Sequence, residues 1–239
     1  MILGVTLAAL AAACSGQDSR VAGRESNRGR QEGGRGSRLS TGDARPLPTA
    51  DSRPQLVFLG TSLTAGLGVD PDSAYPARIQ RKLDSASIAL HAVNAGVSGE
   101  TSAGALRRLP DILSDSVRIL VVETGANDGL RGLDVDSTRA NLAAIIRQAR
   151  ARDRAVTIVL AQMEAPPNMG PRFTERFHAM YPALAREQHV VLMPFLLAGV
   201  AGIDTLNQED GIHPTPRGHR IVADNVWRTL RPLVSHRSR

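Results

Sequence analysis

Cysteine is nearly absent: Cys14 stands alone in 239 residues. No intrachain disulfide can form, so stability must come from a packed core. Aromatic residues are scarce too, at 3%. That argues against a single-stranded nucleic-acid platform, which stacks bases on rings. It also makes the core aliphatic, within a hydrophobic content of 42%. No internal repeat is visible. Acidic residues are the minority charge, and the net charge is +6. Eight Arg face five acidic residues between Ser15 and Pro54, and Arg237 and Arg239 add two more at the end. The body between them is close to balanced. The charge therefore reads as solvated linker and tail, not as a nucleic-acid surface.

Met1 to Ala13 is small and apolar. The run is too short to span a bilayer, which takes about 20 residues, and it reads as the core of a secretory signal. It ends at Cys14. Small residues running into a lone Cys resemble a bacterial lipoprotein signal, with Cys14 as the lipidated residue. No Lys or Arg precedes the run. An ordinary signal peptide and an unprocessed buried thiol are the alternatives. Export to the periplasm or cell envelope, with a lipid anchor, is the expectation. Residues 15–54 are rich in Gly, Arg, Ser and Pro without apolar periodicity. Such a stretch cannot bury enough surface to order itself and is expected to be a tether. The domain then covers 55–239.

From Gln55 onward, apolar runs alternate with amphipathic stretches. Strands are expected at Gln55 to Gly60, Ile88 to Ala95, Val117 to Thr124, Ala155 to Ala161 and Val190 to Phe195. Helices are expected at Tyr75 to Leu83, Thr101 to Leu113, Asp136 to Arg152, Phe173 to Gln188 and Arg217 to Leu233. Pro110 is expected to bend or split the second of these. Strand–helix alternation with continuous apolar strands implies a parallel sheet covered on both faces. The expected fold is a three-layer α/β/α domain with five parallel strands in the flavodoxin-like order 2-1-3-4-5.

Four stretches should meet at the carboxyl end of that sheet: Gly60-Thr61-Ser62-Leu63, Asn94-Ala95-Gly96-Val97-Ser98-Gly99-Glu100-Thr101, Gly125-Ala126-Asn127-Asp128 and Asp210-Gly211-Ile212-His213-Pro214. Ser62 sits where an apolar strand breaks into a tight turn. Taken alone, Thr61 or Ser62 could equally be a helix cap. A serine hydroxyl needs a base to take its proton, and the base needs an orienting group. His213 can be that base, and Asp210 can hold its other nitrogen. The Ser62 and Gly99 N–H groups and the Asn127 amide can form an oxyanion hole. Together they satisfy the needs of acyl transfer, without a cofactor or metal.

With these four blocks in order, the chain resembles the SGNH hydrolases, also called the GDSL esterase/lipase family. It is similar in particular to the bacterial periplasmic branch with thioesterase, lysophospholipase and arylesterase activity. Ala-Tyr-Pro-Ala at 74–77, Arg-Arg-Leu-Pro at 107–110 and Pro-Pro-Asn-Met-Gly at 166–170 add to the likeness, which runs from about Gln55 to Val234. Thr61 departs from it, standing where the name-giving motif has Asp. The resemblance implies a monomeric serine esterase that acts on arylesters, acyl thioesters or lysophospholipids through an acyl-enzyme on Ser62. A carbohydrate O-acetylesterase of envelope glycans is the alternative. A silent surface-binding lipoprotein ranks last.

Glu164 to Arg172 is the candidate substrate-side loop, with Met163, Pro167, Asn168 and Met169 as contacts and Phe173 beside them. Any of the apolar ones could equally be core. Ser98 and Trp227 read as structural. His91, His178, His189 and His236 read as surface or packing residues, and His219 as a cap or surface group. Asp128 lacks the companions of a metal ligand. Arg131 could meet an anionic head group or simply face solvent.

Overall fold

The computed structural model describes residues 51–235. The expected signal segment, Cys14, the tether up to Ala50 and His236 lie outside them. Asp51 to Pro54, assigned by composition to the tether, are tied to the domain. Asp51 bonds Arg53 and pairs with His91 Nδ1 at 2.6 Å, and Pro54 accepts from the His91 N–H.

β1 (Gln55–Gly60) is buried from Leu56 on and lies inside the sheet, between two partners. β2 (His91–Gly96) pairs with one side of it and β3 (Val117–Glu123) with the other. β4 (Thr157–Ala161) and β5 (Val191–Met193) continue outward from β3. All neighbours are parallel and the order is 2-1-3-4-5, as the alternation implied. β1, β3 and β4 are apolar on both faces because helices cover both. The edge strands β2 and β5 are only half-buried.

Four strands are shorter than expected, β3 by Thr124 alone. β2 begins at His91 because Ile88 to Leu90 form a tight turn, with the Leu90 N–H on the Ile88 carbonyl. β4 begins at Thr157 because Asp153 takes the N–H groups of Ala155 and Val156. β5 stops at Met193 because Pro194 has no N–H to give the ladder.

The helices between the strands cover both faces of the sheet. α1 (Ser62–Ala65) follows β1 at once, and α2 (Tyr75–Ser85) returns the chain to β2. α3 (Ser102–Ile112) crosses to β3, with Thr101 as its cap accepting from the Gly104 N–H. It is not split by Pro110, which is exposed, so the carbonyl that loses its donor can reach water. α4 (Ala126–Leu130) follows β3, and α5 (Val135–Arg152) leads to β4. α6 (Pro171–Glu187) leads to β5, and α7 (Pro216–Ser235) closes the chain. α2 packs on α7 over one face, and α5 packs between α3 and α6 over the other. α5 starts earlier than expected because Asp134 accepts from the Ser137 N–H. α1 and α4, of four and five residues, are too short to show a helical period in the sequence.

Candidate active site

β1 ends at Gly60, and the chain turns into α1 with Ser62 as its first helical residue. The first N–H groups of a helix have no intrahelical acceptor, so the Ser62 N–H is available to another one. Far along the chain, the loop after β5 brings His213 opposite it. Ser62 Oγ and His213 Nε2 are 2.8 Å apart. His213 Nδ1 and Asp210 Oδ2 are 2.6 Å apart. Asp210 also accepts from the backbone N–H of Ile212 and of His213. Those bonds to His213 and Ile212 hold the Asp210 carboxyl down at about 2, so it is ionised across the neutral range. An ionised carboxylate only accepts, so Nδ1 carries the ring proton. Nε2 is left with its lone pair toward the Ser62 hydroxyl.

The loop carrying this pair is braced. Asn207 and Pro214 form an antiparallel bridge, and the Gln208 N–H donates to the His213 carbonyl at 2.7 Å. Gln208 Nε2 reaches across to the Leu67 carbonyl, just past α1. The base is thereby fixed to the nucleophile's own turn.

Gly99 and Asn127 open onto the same cavity as Ser62 and His213. Gly99 has φ +76°, a conformation that favours glycine, and a Cβ there would meet nothing closer than Arg131 at 3.8 Å. Its glycine is thus explained by backbone conformation, more than by the close approach that chemistry alone suggested. Asn127 Nδ2 donates to the Glu100 carbonyl at 2.9 Å, which fixes the amide and leaves its second hydrogen free for a ligand. The cavity measures about 500 Å³. Its walls are mainly apolar, with Leu63, Leu67, Leu130, Met163, Phe195, Leu197 and Ile212 among them.

Residues 58–221 match the model of the GDSL-like lipase/acylhydrolase family. Esterase TesA of Pseudomonas aeruginosa is 41% identical over 180 residues, 75% of this chain and 89% of that protein. The chain belongs to the GDSL-like lipase/acylhydrolase family. Thioesterase 1/protease 1/lysophospholipase L1 of Escherichia coli is 39% identical over 184 residues, 77% of this chain and 86% of that one. A crystal structure of TesA superposes with a TM-score of 0.71 at 39% identity, covering 75% of this chain and 99% of that one. As a member of the GDSL-like family, the chain is an ester-hydrolysing enzyme with the SGNH hydrolase fold.

Within this GDSL-like hydrolase the expected substrate-side residues separate. Met163 and Pro167 line the cavity, as do Glu164, Ala165 and Pro166. Asn168 and Met169 do not. Asn168 is exposed, and Met169 lies against Gly132. Phe173 stacks on Phe177 at 6.0 Å, against the core. Trp227 is half-buried against the core. Asp128 is buried and accepts from the Ser102 N–H and hydroxyl, which ties α4 to α3. Arg131 is exposed and donates to the Gly99 carbonyl at 2.8 Å. His178 pairs with Glu164, and His91 with Asp51. His219 corrects expectation: it is 1% exposed rather than a surface group, and stacks on Tyr75 at 6.5 Å. Burial first, then the nearby charges of Arg78 and His213, push its imidazole down to about 4.

Two contributors have roles that the sequence does not show, although Arg108 lies within the Arg-Arg-Leu-Pro block. Arg108 joins Glu100 to the carbonyls of Ala95 and Gly60, and so clamps the ends of β2 and β1 beside the Gly99 loop. Glu123 ends β3 fully buried beside Gly60, and its carboxyl is pushed up to about 7 by burial. One sign of it was legible: a lone carboxylate in the apolar run Val117 to Thr124.

Proposed function

We propose that this enzyme hydrolyses carboxylic esters and thioesters of apolar acyl groups through an acyl-enzyme on Ser62. The observation that carries the reading is the unbroken relay Ser62–His213–Asp210, at 2.8 and 2.6 Å, on an apolar cavity of about 500 Å³. Ser62 Oγ attacks the carbonyl carbon as its proton passes to His213 Nε2. The new oxyanion faces the Ser62 and Gly99 N–H groups and the Asn127 amide. Asp210 stabilises the imidazolium formed. The intermediate collapses as His213 returns the proton to the leaving oxygen or sulfur. Water then attacks the acyl-enzyme with His213 again as base, which releases the acid and restores Ser62. All of these groups come from one chain, which supports a monomer as the working unit.

The relatives named above act as esterase, thioesterase and lysophospholipase, and an arylesterase of Vibrio mimicus is 34% identical over 183 residues. The apolar walls favour an acyl chain over a sugar, so an acyl ester ranks above a carbohydrate acetyl ester. Met163 and Pro167 are the proposed acyl-chain contacts. The apolar run before Cys14 supports export, and Cys14 itself a lipid anchor.

The test is hydrolysis of p-nitrophenyl esters from acetate to palmitate by the full chain, with Ser62→Ala alongside. Turnover that rises beyond acetate, and that Ser62→Ala lowers by at least about 10³-fold, is expected. Turnover confined to acetate, with an acetylated sugar preferred, would favour the carbohydrate reading. Turnover that survives Ser62→Ala would refute the acyl-enzyme.

A further inference from the structure

We propose that Glu123 is a positioning residue for the nucleophile. It holds Thr61 and Thr64 on either side of Ser62 and thereby sets the direction of the Ser62 hydroxyl and N–H. The inference rests on the serine-hydrolase reading and asks what keeps that serine in place.

α1 has four residues, far fewer than a helix needs to hold itself in water. Its cap residue, Thr61, makes no side-chain cap bond. The turn must therefore be anchored from elsewhere, and its anchor is one carboxylate. The Thr61 N–H donates to Glu123 Oε2 at 2.9 Å, and the Thr61 hydroxyl to Oε1 at 3.0 Å. The Thr64 hydroxyl donates to Oε2 at 2.7 Å and lies 2.6 Å from the Tyr75 hydroxyl. Three donors converge, two from the residue before Ser62 and one from the residue two after it. Only the φ and ψ of Thr61 separate its anchored N–H from that of Ser62. Fixing Thr61 by both backbone and side chain thus fixes the peptide that carries the Ser62 N–H.

The space around the carboxylate is reserved for it. A Cβ added at Gly60 would stand 1.9 Å from Thr64 Oγ1 and 2.6 Å from Glu123 Oε2. Glu123 has no cationic partner within salt-bridge distance among the described residues. Burying a carboxyl that only hydrogen bonds support is costly, and an apolar residue would fill a strand end at lower cost. Directional bonding is what a carboxylate adds there. The same contacts give a role to Thr61, which replaces the Asp of the name-giving motif: its hydroxyl is a second donor to Glu123.

Glu123→Gln tests this in the full chain. A carboxamide has one acceptor oxygen for three donors, and its NH₂ must face a donor or reverse a threonine hydroxyl. With p-nitrophenyl butyrate, kcat should fall at least about 10-fold while KM changes less than about 3-fold, since small misplacements of a nucleophile act on the chemical step. Labelling of Ser62 by a fluorophosphonate should slow in parallel, with the variant folded by circular dichroism. A folded Glu123→Gln with kcat within about 3-fold of wild type would overturn the proposal. Thr61 supplies the second arm. Thr61→Ser keeps the hydroxyl and should retain most of the kcat, whereas Thr61→Val should lose it about 10-fold. Equal kcat for the two would overturn the proposal even if Glu123→Gln failed to fold. Wild-type turnover that ignored Ser62→Ala would instead sink the serine-hydrolase reading itself.

Discussion

Two buried groups of opposite charge type should give this protein a stability curve that hides its own slopes. Glu123 is fully buried, and its carboxyl lies at about 7 in the fold against 4.5 in the unfolded chain. A folded pKa raised above the unfolded one stabilises at low pH. That stability is whole below pH 4.5 and is lost as pH climbs to about 7. At about 1.4 kcal/mol per pH unit, the loss is about 3 kcal/mol. His219 runs the other way. Its imidazole lies at about 4 against 6.5, so its contribution is whole above pH 6.5 and is lost as pH falls toward 4. That loss is again about 3 kcal/mol. The two windows overlap, so in the wild type one gain offsets the other. Urea unfolding of wild type, Glu123→Gln and His219→Phe at half-unit steps from pH 4 to 7.5 separates them. Groups common to all three cancel in the differences. The advantage of wild type over Glu123→Gln should shrink by about 3 kcal/mol between pH 4.5 and 7. At a urea dependence of about 2 to 3 kcal/mol per molar, this moves the midpoint by about 1 M. The advantage of wild type over His219→Phe should grow over nearly the same range. A difference that stays constant within about 0.5 kcal/mol across that range would refute the account of the group concerned.

Two further outcomes follow from the site. Gly60→Ala places a methyl 1.9 Å from Thr64 Oγ1, 2.5 Å from Thr64 Cβ and 2.6 Å from Glu123 Oε2, side chains that hydrogen bonds hold in place. It should cost about 3 kcal/mol or more and lower the melting temperature by about 6 to 12 °C, read by calorimetry; an unchanged melting temperature would contradict the packing described. Asp210→Asn removes the charge that fixes the His213 tautomer and should lower kcat by about 10² to 10⁴-fold with the fold intact, by circular dichroism and steady-state kinetics. A kcat equal to wild type would remove Asp210 from the relay.

Much of this was legible in the chain itself. β1 and β3 stand out as apolar runs because strands buried on both faces cannot alternate, and the helices show their faces at Leu142, Ile145, Ile146 and Ala149. Ser62, His213 and Asp210 could be read because acyl transfer needs a nucleophile, a base and an orienting group, and glycines mark the loops that carry them. Other features were hidden for physical reasons. A four-residue helix has no period to read. The early end of β5 depends on Pro194, which an apolar run disguises. Glu123 looked like a strand residue, since its partners Thr61 and Thr64 lie about 60 positions away and no local pattern links them. His219 reads as a cap or surface group because its environment is made by Tyr75, from another helix. Asn168 and Met169 share the loop of Pro167 but turn away from the cavity, a matter of local geometry that composition does not record.

The compactness of the loop from Asn207 to Pro214 has one more consequence. Asp210 and His213 are three residues apart, joined by side-chain and backbone bonds, and their loop touches the nucleophile's turn chiefly through Gln208. Base and orienting acid therefore form a single moving part. When that loop breathes, both depart from Ser62 together and return together, still correctly paired. Such an opening breaks few bonds, so loss of activity on warming would be gradual and reversible, and would precede the melting of the sheet beneath.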